Sequence, residues 1–168
     1  MDSTELRSLQ APLKEKYKND PGSAMITLKA KGNLSENVSC TVETNTIKVV
    51  AGLHPATGGD GTLACSGDML LQALVACAGV TLNAVATAIG IEIKDGSISA
   101  EGDLDFRGTL GVSKETPVGF QTIRLYFNLT SNATELQMES LAKLTEKYCV
   151  VYQTLTKGVK VDTIFKHN

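Results

Sequence analysis

The spacing of apolar residues along this chain changes character several times, and each change marks a new element. Residues 4–18 set Leu6, Leu9, Leu13 and Tyr17 at helical spacing among Lys and Glu, which predicts a short amphipathic helix closed by the turn signal Asn19-Asp20-Pro21-Gly22. From Ala24 onward the period drops to two. Three runs, AMITLKA, NVSCTVE and TIKVVAG, separated by Gly32-Asn33 and Thr44-Asn45, read as a meander of three antiparallel strands. The following LHPATGGDGTLACSGD is rich in Gly and small residues and reads as a loop.

Residues 69–90, MLLQALVACAGVTLNAVATAIG, are the most apolar stretch, interrupted only by Gln72, Thr81, Asn83 and Thr87. As a helix they would be ~33 Å long, enough to cross a bilayer. The polar residues in the middle, the Ala-rich composition and the lack of flanking Lys/Arg or aromatic belts argue against a membrane span. A helix apolar nearly all round in a soluble protein must be covered on every side. One small sheet cannot do that, so a second copy of the chain is expected to supply the rest, as an obligate homodimer. Ser66 or Asp68 is expected to start this helix and Gly90 to end it.

Strand-like patterning returns in IEIKDGSISAEGDLDF (91–106), where Asp95-Gly96 could turn a hairpin, and in VGFQTIRLYFNLT (118–130). Asn132 with Glu135 three residues later gives a capping-box signal, and Met138, Leu141, Leu144 and Tyr148 form one apolar stripe of a second helix. A further turn or two, VVYQTLTK, stops at Gly158, and VKVDTIF closes the chain as a last strand. Three strands, a helix, two strands, a helix and a strand make an α+β fold.

Composition bounds the function. At 168 residues the chain is about one domain's worth, and 42% hydrophobic against 20% charged residues excludes general disorder. A net charge of −2 lacks the basic footprint of a nucleic-acid binder. The first twenty residues do not have the pattern of a secretory signal, so a reducing cytoplasm is the expected compartment and the four N-x-[ST] triplets, from Asn33, Asn37, Asn128 and Asn132, read as chance. No CxxC or HExxH metal spacing is present, and GGDG at 58–61 lacks the strand-to-helix setting of a phosphate loop.

The cysteines carry the candidate chemistry, because in a reducing compartment paired thiols are more often catalytic or redox-sensing than structural. Cys40 alternates with Val38 and Val42 and reads as a core residue. Cys65 and Cys77 would be ~18 Å apart along one helix, far beyond the ~7 Å that a disulfide spans. Cys77 shares its helix face with Leu70, Ala73, Leu74, Val80, Thr81 and Ala84 and, on the wheel alone, reads as core. Its own helix's dipole fades beyond the first turn, so an active Cys77 would need a cation from elsewhere. Cys149 sits at the junction of two helices, ambiguous between a buried thiol and a partner for Cys77.

The segment SGDMLLQALVACAGVTL, with a cysteine late in an Ala-rich helix, and the later EKYCVVYQTL resemble the two-cysteine signature of the OsmC/Ohr family. The resemblance implies a single OsmC-like domain over 1–168, with 1–20 as an N-terminal helical extension. It implies antiparallel sheets wrapped around long buried central helices in a swapped homodimer, without a cofactor or metal. It further implies a reductase of organic hydroperoxides, with Cys77 as the peroxide-attacking cysteine, Cys149 as the resolving one, and a lipoyl or thioredoxin-like dithiol as reductant. Because the thiolate is the nucleophile, the family site needs an activating group, an arginine in the better-known branches. The loop before the long helix holds no arginine here; the chain's arginines are Arg7, Arg107 and Arg124. Asp68, His54, Arg107 and Arg124 are the candidate supporting residues, each with an ordinary alternative: a helix cap for Asp68, a solvated loop side chain for His54, surface ion pairs for the arginines. The competing reading is a non-catalytic dimer of the same fold that binds a small apolar ligand or senses redox state.

Overall fold

A computed structural model describes residues 1–44 and 46–167. The chain opens with helix α1 (Ser3–Asn19), capped by Asp2, whose carboxylate accepts the Thr4 and Glu5 N–H groups. It rests on the far end of the long helix through Arg7, which donates to the Ala88 carbonyl, while Leu9 and Leu13 stay about half exposed. Strands β1 (Lys31–Ser35), β2 (Ser39–Glu43), β3 (Lys48–Gly52) and β4 (Ala64–Cys65) form a sheet in that order, antiparallel except for the β3–β4 pair.

The meander is thus shifted from its expected position. Ala24–Ala30 is not a strand: Pro21–Ala24 forms a 3-10 turn, and Met25, Ile26 and Leu28 lie open to solvent without a strand partner among the described residues. The expected Gly32-Asn33 turn is inside β1, where Gly32 lets the Cys40 side chain of β2 cross it: a Cβ there would lie 2.9 Å from Cys40 Sγ. Cys40 itself is only half-buried. The turn falls at Glu36–Val38, with Asn37 and Val38 both left-handed. The expected Thr44-Asn45 break includes Asn45, which lies outside the described residues.

Helix α2 (Ser66–Ile89) is capped by Cys65 rather than by Ser66 or Asp68, and Gly90 ends it in the left-handed region as expected. Its stripe of Leu74, Ala78, Leu82, Val85 and Ala86 is buried; Val80 on another face is 73% exposed, so within one chain the helix is covered along one side only. The second sheet pairs β5 (Ile93–Asp103) with β6 (Thr122–Ser131), linked through a short helix α3 (Phe106–Thr109). Asp95-Gly96 makes no hairpin. Both residues run on within β5, where Gly96 leaves room for Leu129 of β6, whose Cδ2 would be 2.7 Å from a Cβ there.

Helix α4 (Glu135–Tyr148) starts at Thr134, whose hydroxyl accepts the Gln137 N–H while the Gln137 side chain accepts the Thr134 N–H. The capping box is therefore Thr134/Gln137, two residues beyond Asn132/Glu135. Its core stripe runs through Leu141, Thr145 and Cys149; Tyr148 is exposed. Leu82, Val85, Ala86, Ile91 and Leu141 make the centre of the core, with Phe127, Leu129, Met138 and Leu144 around it. Helix α5 (Val150–Lys157) follows at once. Val159–Phe165 follows it as an exposed segment without regular secondary structure, not the expected strand.

Val38 holds φ 57° although it is β-branched, a conformation costing of the order of 1–3 kcal/mol for such a residue and tolerated by Asn. Because its side chain is 73% exposed, little burial is lost on replacement. Val38→Asn is therefore expected to raise the unfolding free energy by about 1 kcal/mol, seen as a higher urea midpoint at unchanged slope.

Candidate active site

Cys149 is the geometric key to the site. It leaves helical geometry at φ −73°, ψ 110°, and in doing so it is both the C-cap of α4 and the N-cap of α5. Its own N–H closes α4 by donating to the Thr145 carbonyl, and its carbonyl accepts the first α5 hydrogen bond, from Gln153. The N–H groups of Val150, Val151 and Tyr152 thereby lose any acceptor within a helix. The junction packs on α2 beside Cys77.

Cys77 and Cys149 are both free, and each acts on the acidity of the other's thiol. Burial pushes the Cys77 thiol up, but the Val151 N–H, the Cys149 thiol, the Val150 N–H and the Thr81 hydroxyl all favour its anion, and the net effect is a thiol below its ordinary range. Burial also pushes up Cys149, 1% exposed, and the neighbouring Cys77 adds to this despite the Tyr152 and Val151 N–H groups. Of the two, the half-buried Cys77 is the thiol whose anion its surroundings favour, and the buried Cys149 the one whose anion they disfavour.

The groups that favour the Cys77 anion are not the ones expected from sequence. In place of a cation, they are orphan amides from the start of a different helix, α5, and a hydroxyl one turn along α2. Arg107 pairs with Asp105, Nε to Oδ1 at 3.0 Å. Arg124 bridges Asp103, at 2.8 Å, and Glu101 across β5 and β6, which raises its own pKa and lowers that of Asp103. His54 caps a 3-10 turn, its Nδ1 accepting the Ala56 N–H, and stacks on Phe106 at 4.9 Å. His54 and Asp68 share a cavity with Cys65 and Phe120 at the start of α2. None of these four is among the groups acting on Cys77 within the chain.

Beside the pair, a cavity of about 460 Å³ opens between α2, β6, α4 and α5, lined by Leu74, Phe120, Ile123, Phe127, Tyr152 and Leu155 among others. Leu74 lies one turn before Cys77 and Tyr152 one turn after Cys149, so the same two elements wall the cavity and hold the thiols. Neither cysteine lines it, and Gln121, Thr122, Glu146 and Thr156 add polar groups to its mostly apolar wall. Among the described residues no cluster of His, Cys, Asp and Glu could hold a metal ion.

The sequence profile of the OsmC-like protein family matches residues 59–164, which contain both cysteines of the pair. Solved structures share the fold. An OsmC-like protein from Mycoplasma pneumoniae is 21% identical, with a TM-score of 0.67 over 80% of this chain and 89% of that one. An organic hydroperoxide resistance protein OsmC from Legionella pneumophila, described as a predicted redox protein, is 20% identical, with a TM-score of 0.62 over 78% and 90%. An organic hydroperoxide resistance protein from Elizabethkingia anophelis is 15% identical, with a TM-score of 0.63 over 80% and 90%. No curated protein sequence matches the chain.

Because the Cys77 pKa is lowered and that of Cys149 raised, the thiolate fraction at pH 7 is larger on Cys77 than on Cys149. Iodoacetamide at pH 7 is expected to label Cys77 well before Cys149. Its labelling rate should level off at a lower pH than for a free thiol, as read by peptide mass spectrometry across pH 5–10.

Proposed function

We propose, from the fact that the chain belongs to the OsmC-like protein family, that it is a thiol-dependent reductase of organic hydroperoxides working through Cys77 and Cys149. The observation that carries this reading is a pair of thiols that act on each other's acidity and whose proton affinities are pushed in opposite directions. A peroxidatic cysteine must be a thiolate and reachable; a resolving cysteine must be near and can stay protonated until needed.

The steps balance as follows. The Cys77 thiolate attacks the terminal oxygen of ROOH, the O–O bond breaks, and RO⁻ leaves to pick up a proton as the alcohol. Sulfur is oxidised to the sulfenic acid and the peroxide is reduced by two electrons. Cys149 then attacks the Cys77 sulfur, its proton and the sulfenic hydroxyl leave as water, and a disulfide remains. A dithiol of lipoyl or thioredoxin type restores both thiols by exchange and is itself oxidised to its disulfide. The cavity walled by the same elements would take the R group against Leu74, Phe120, Ile123, Phe127 and Leu155, which favours organic hydroperoxides over hydrogen peroxide. With Cys77→Ser, consumption of cumene hydroperoxide in the presence of a dithiol is expected to stop. With Cys149→Ser it should cease after one equivalent, leaving a sulfenic acid that dimedone traps; activity untouched by Cys77→Ser would overturn the mechanism.

The working unit in this reading is a homodimer that exchanges strands, with its sheets wrapped around paired α2 helices, in the cytoplasm. Two exposed segments rich in apolar residues support it: Met25, Ile26 and Leu28 are 71–90% exposed, and Val159, Val161, Ile164 and Phe165 are 67–93% exposed. The two-stranded β5–β6 sheet has free edges that such segments could extend, and two strands alone are marginal. The open face of α2 around Val80 is the surface a second copy would cover. Light scattering at micromolar concentration is expected to give twice 17.8 kDa, and Ile164→Glu with Phe165→Glu to weaken that association; a stable folded monomer of the natural chain would overturn it.

A further inference from the structure

The cavity between α2, β6, α4 and α5 has a single charged residue in its lining, Glu146 of α4. The rest is apolar or neutral. Glu146 is itself exposed, which puts a negative charge where the recess meets water. Its backbone is fixed in place, because Gln153 of α5 donates through Nε2 to the Glu146 carbonyl at 2.7 Å and ties the two helices together across the break at Cys149. No cation of the walling elements offsets this charge. Arg124 alternates with Ile123 and Leu125 on β6 and so lies on the other face, where it pairs with Asp103 and Glu101. On α4, Lys143 pairs with Glu139 at 3.6 Å, and Lys147 stands over the Tyr148 ring, 5.1 Å from its centroid. Lys157, at the end of α5, is not part of the lining. Among the described residues no cation pairs with Glu146.

We infer that Glu146 is a specificity-determining residue of this cavity: it lets uncharged apolar molecules enter and turns away those whose apolar body carries an anionic group. Applied to hydroperoxides, the rule rests on the reductase reading above and narrows its substrates to uncharged ones, esters and hydrocarbons in preference to free carboxylates. Applied to binding alone, it needs no peroxide chemistry. Apolar walls supply the attraction and are indifferent to charge; the discrimination comes from the one carboxylate. Like charges about 6 Å apart cost about threefold in affinity in water, and about tenfold where the cavity wall replaces part of that water. In about 1 M salt the screening length falls to about 3 Å and the discrimination fades.

The test uses two fluorescent probes, uncharged N-phenylnaphthylamine and anilinonaphthalene sulfonate, which is the same ring system carrying an anionic group. Glu146→Gln is expected to tighten binding of the sulfonate by about threefold to tenfold at low salt, with the uncharged probe unmoved. In about 1 M salt the gain should disappear. Glu135→Gln removes the same charge from the first turn of α4, outside the cavity, and should change neither affinity. Leu155→Trp fills the cavity from a side chain that is 37% exposed and should weaken both probes. Should it not fold, Thr156→Trp fills the same wall from an exposed position.

Sulfonate binding that Glu146→Gln leaves unmoved, or that Glu135→Gln moves equally, overturns the assignment. Probe binding untouched by the tryptophan variant overturns the cavity as the site. A second arm compares a fatty-acid hydroperoxide with its methyl ester, where Glu146→Gln should lower KM for the free acid alone. The two readings fail separately. A probe shift in a chain that consumes neither hydroperoxide removes the reductase and leaves the charge selection. Consumption of both through Cys77, with KM values that Glu146→Gln does not move, removes the charge selection and leaves the reductase.

Discussion

The chemistry of this protein hangs on a helix that is interrupted for one residue. Were Cys149 helical, α4 and α5 would run on as one helix and the amides of Val150, Val151 and Tyr152 would bond back along it. Its ψ of 110° cuts the ladder and leaves those N–H groups against α2 with no helical carbonyl to accept them. The Val150 and Val151 amides are among the groups that favour the Cys77 anion, so donors stand ready before any charge forms on that sulfur. The break that ends α4 is thus also what favours charge on Cys77 over Cys149.

The long helix, its Gly90 stop, the middle strands of the meander and the stripe through Leu141 were legible from spacing alone. What escaped was decided by partners distant in sequence. Ala24–Ala30 and Val159–Phe165 have the alternation of strands, but alternation records only that one face wants burial, not that a neighbouring strand exists within the same chain. Asp95-Gly96 has the composition of a hairpin turn, yet Gly96 is there so that Leu129 can lie across β5. The capping box slid by two residues because Thr134 with Gln137 satisfies the same two amides as Asn132 with Glu135 could have, and Ser131 and Ala133 still belong to the end of the sheet and its turn.

The site was legible in its parts but not in its wiring. A helical wheel put Thr81 beside Cys77, and the chain pattern put Cys149 at a junction of helices. Nothing in spacing could say that the junction docks on the middle of α2. Hence the expectation of a cation: with α2's own N-terminus three turns away, its dipole was rightly discounted, but the N-terminus that matters belongs to another helix. His54, Asp68, Arg107 and Arg124 drew notice because their side chains are chemically conspicuous. Backbone amides are equally good donors and leave no mark in a sequence.

The opposite pushes on the two thiols show how two like residues come to differ. Two neighbouring thiols cannot both ionise cheaply, so the environment that better supports charge decides which one does. Cys77 is half-buried and has three donors besides its partner; Cys149 is 1% exposed and has two backbone amides, one of them shared with Cys77. The same difference in exposure makes Cys77 the sulfur that an incoming molecule can reach. Accessibility and charge thus fall on one atom. Burial is the larger cause that holds the Cys149 thiol up and the neighbouring Cys77 the smaller, so the difference between the two sulfurs rests first on how deeply each is set in the fold.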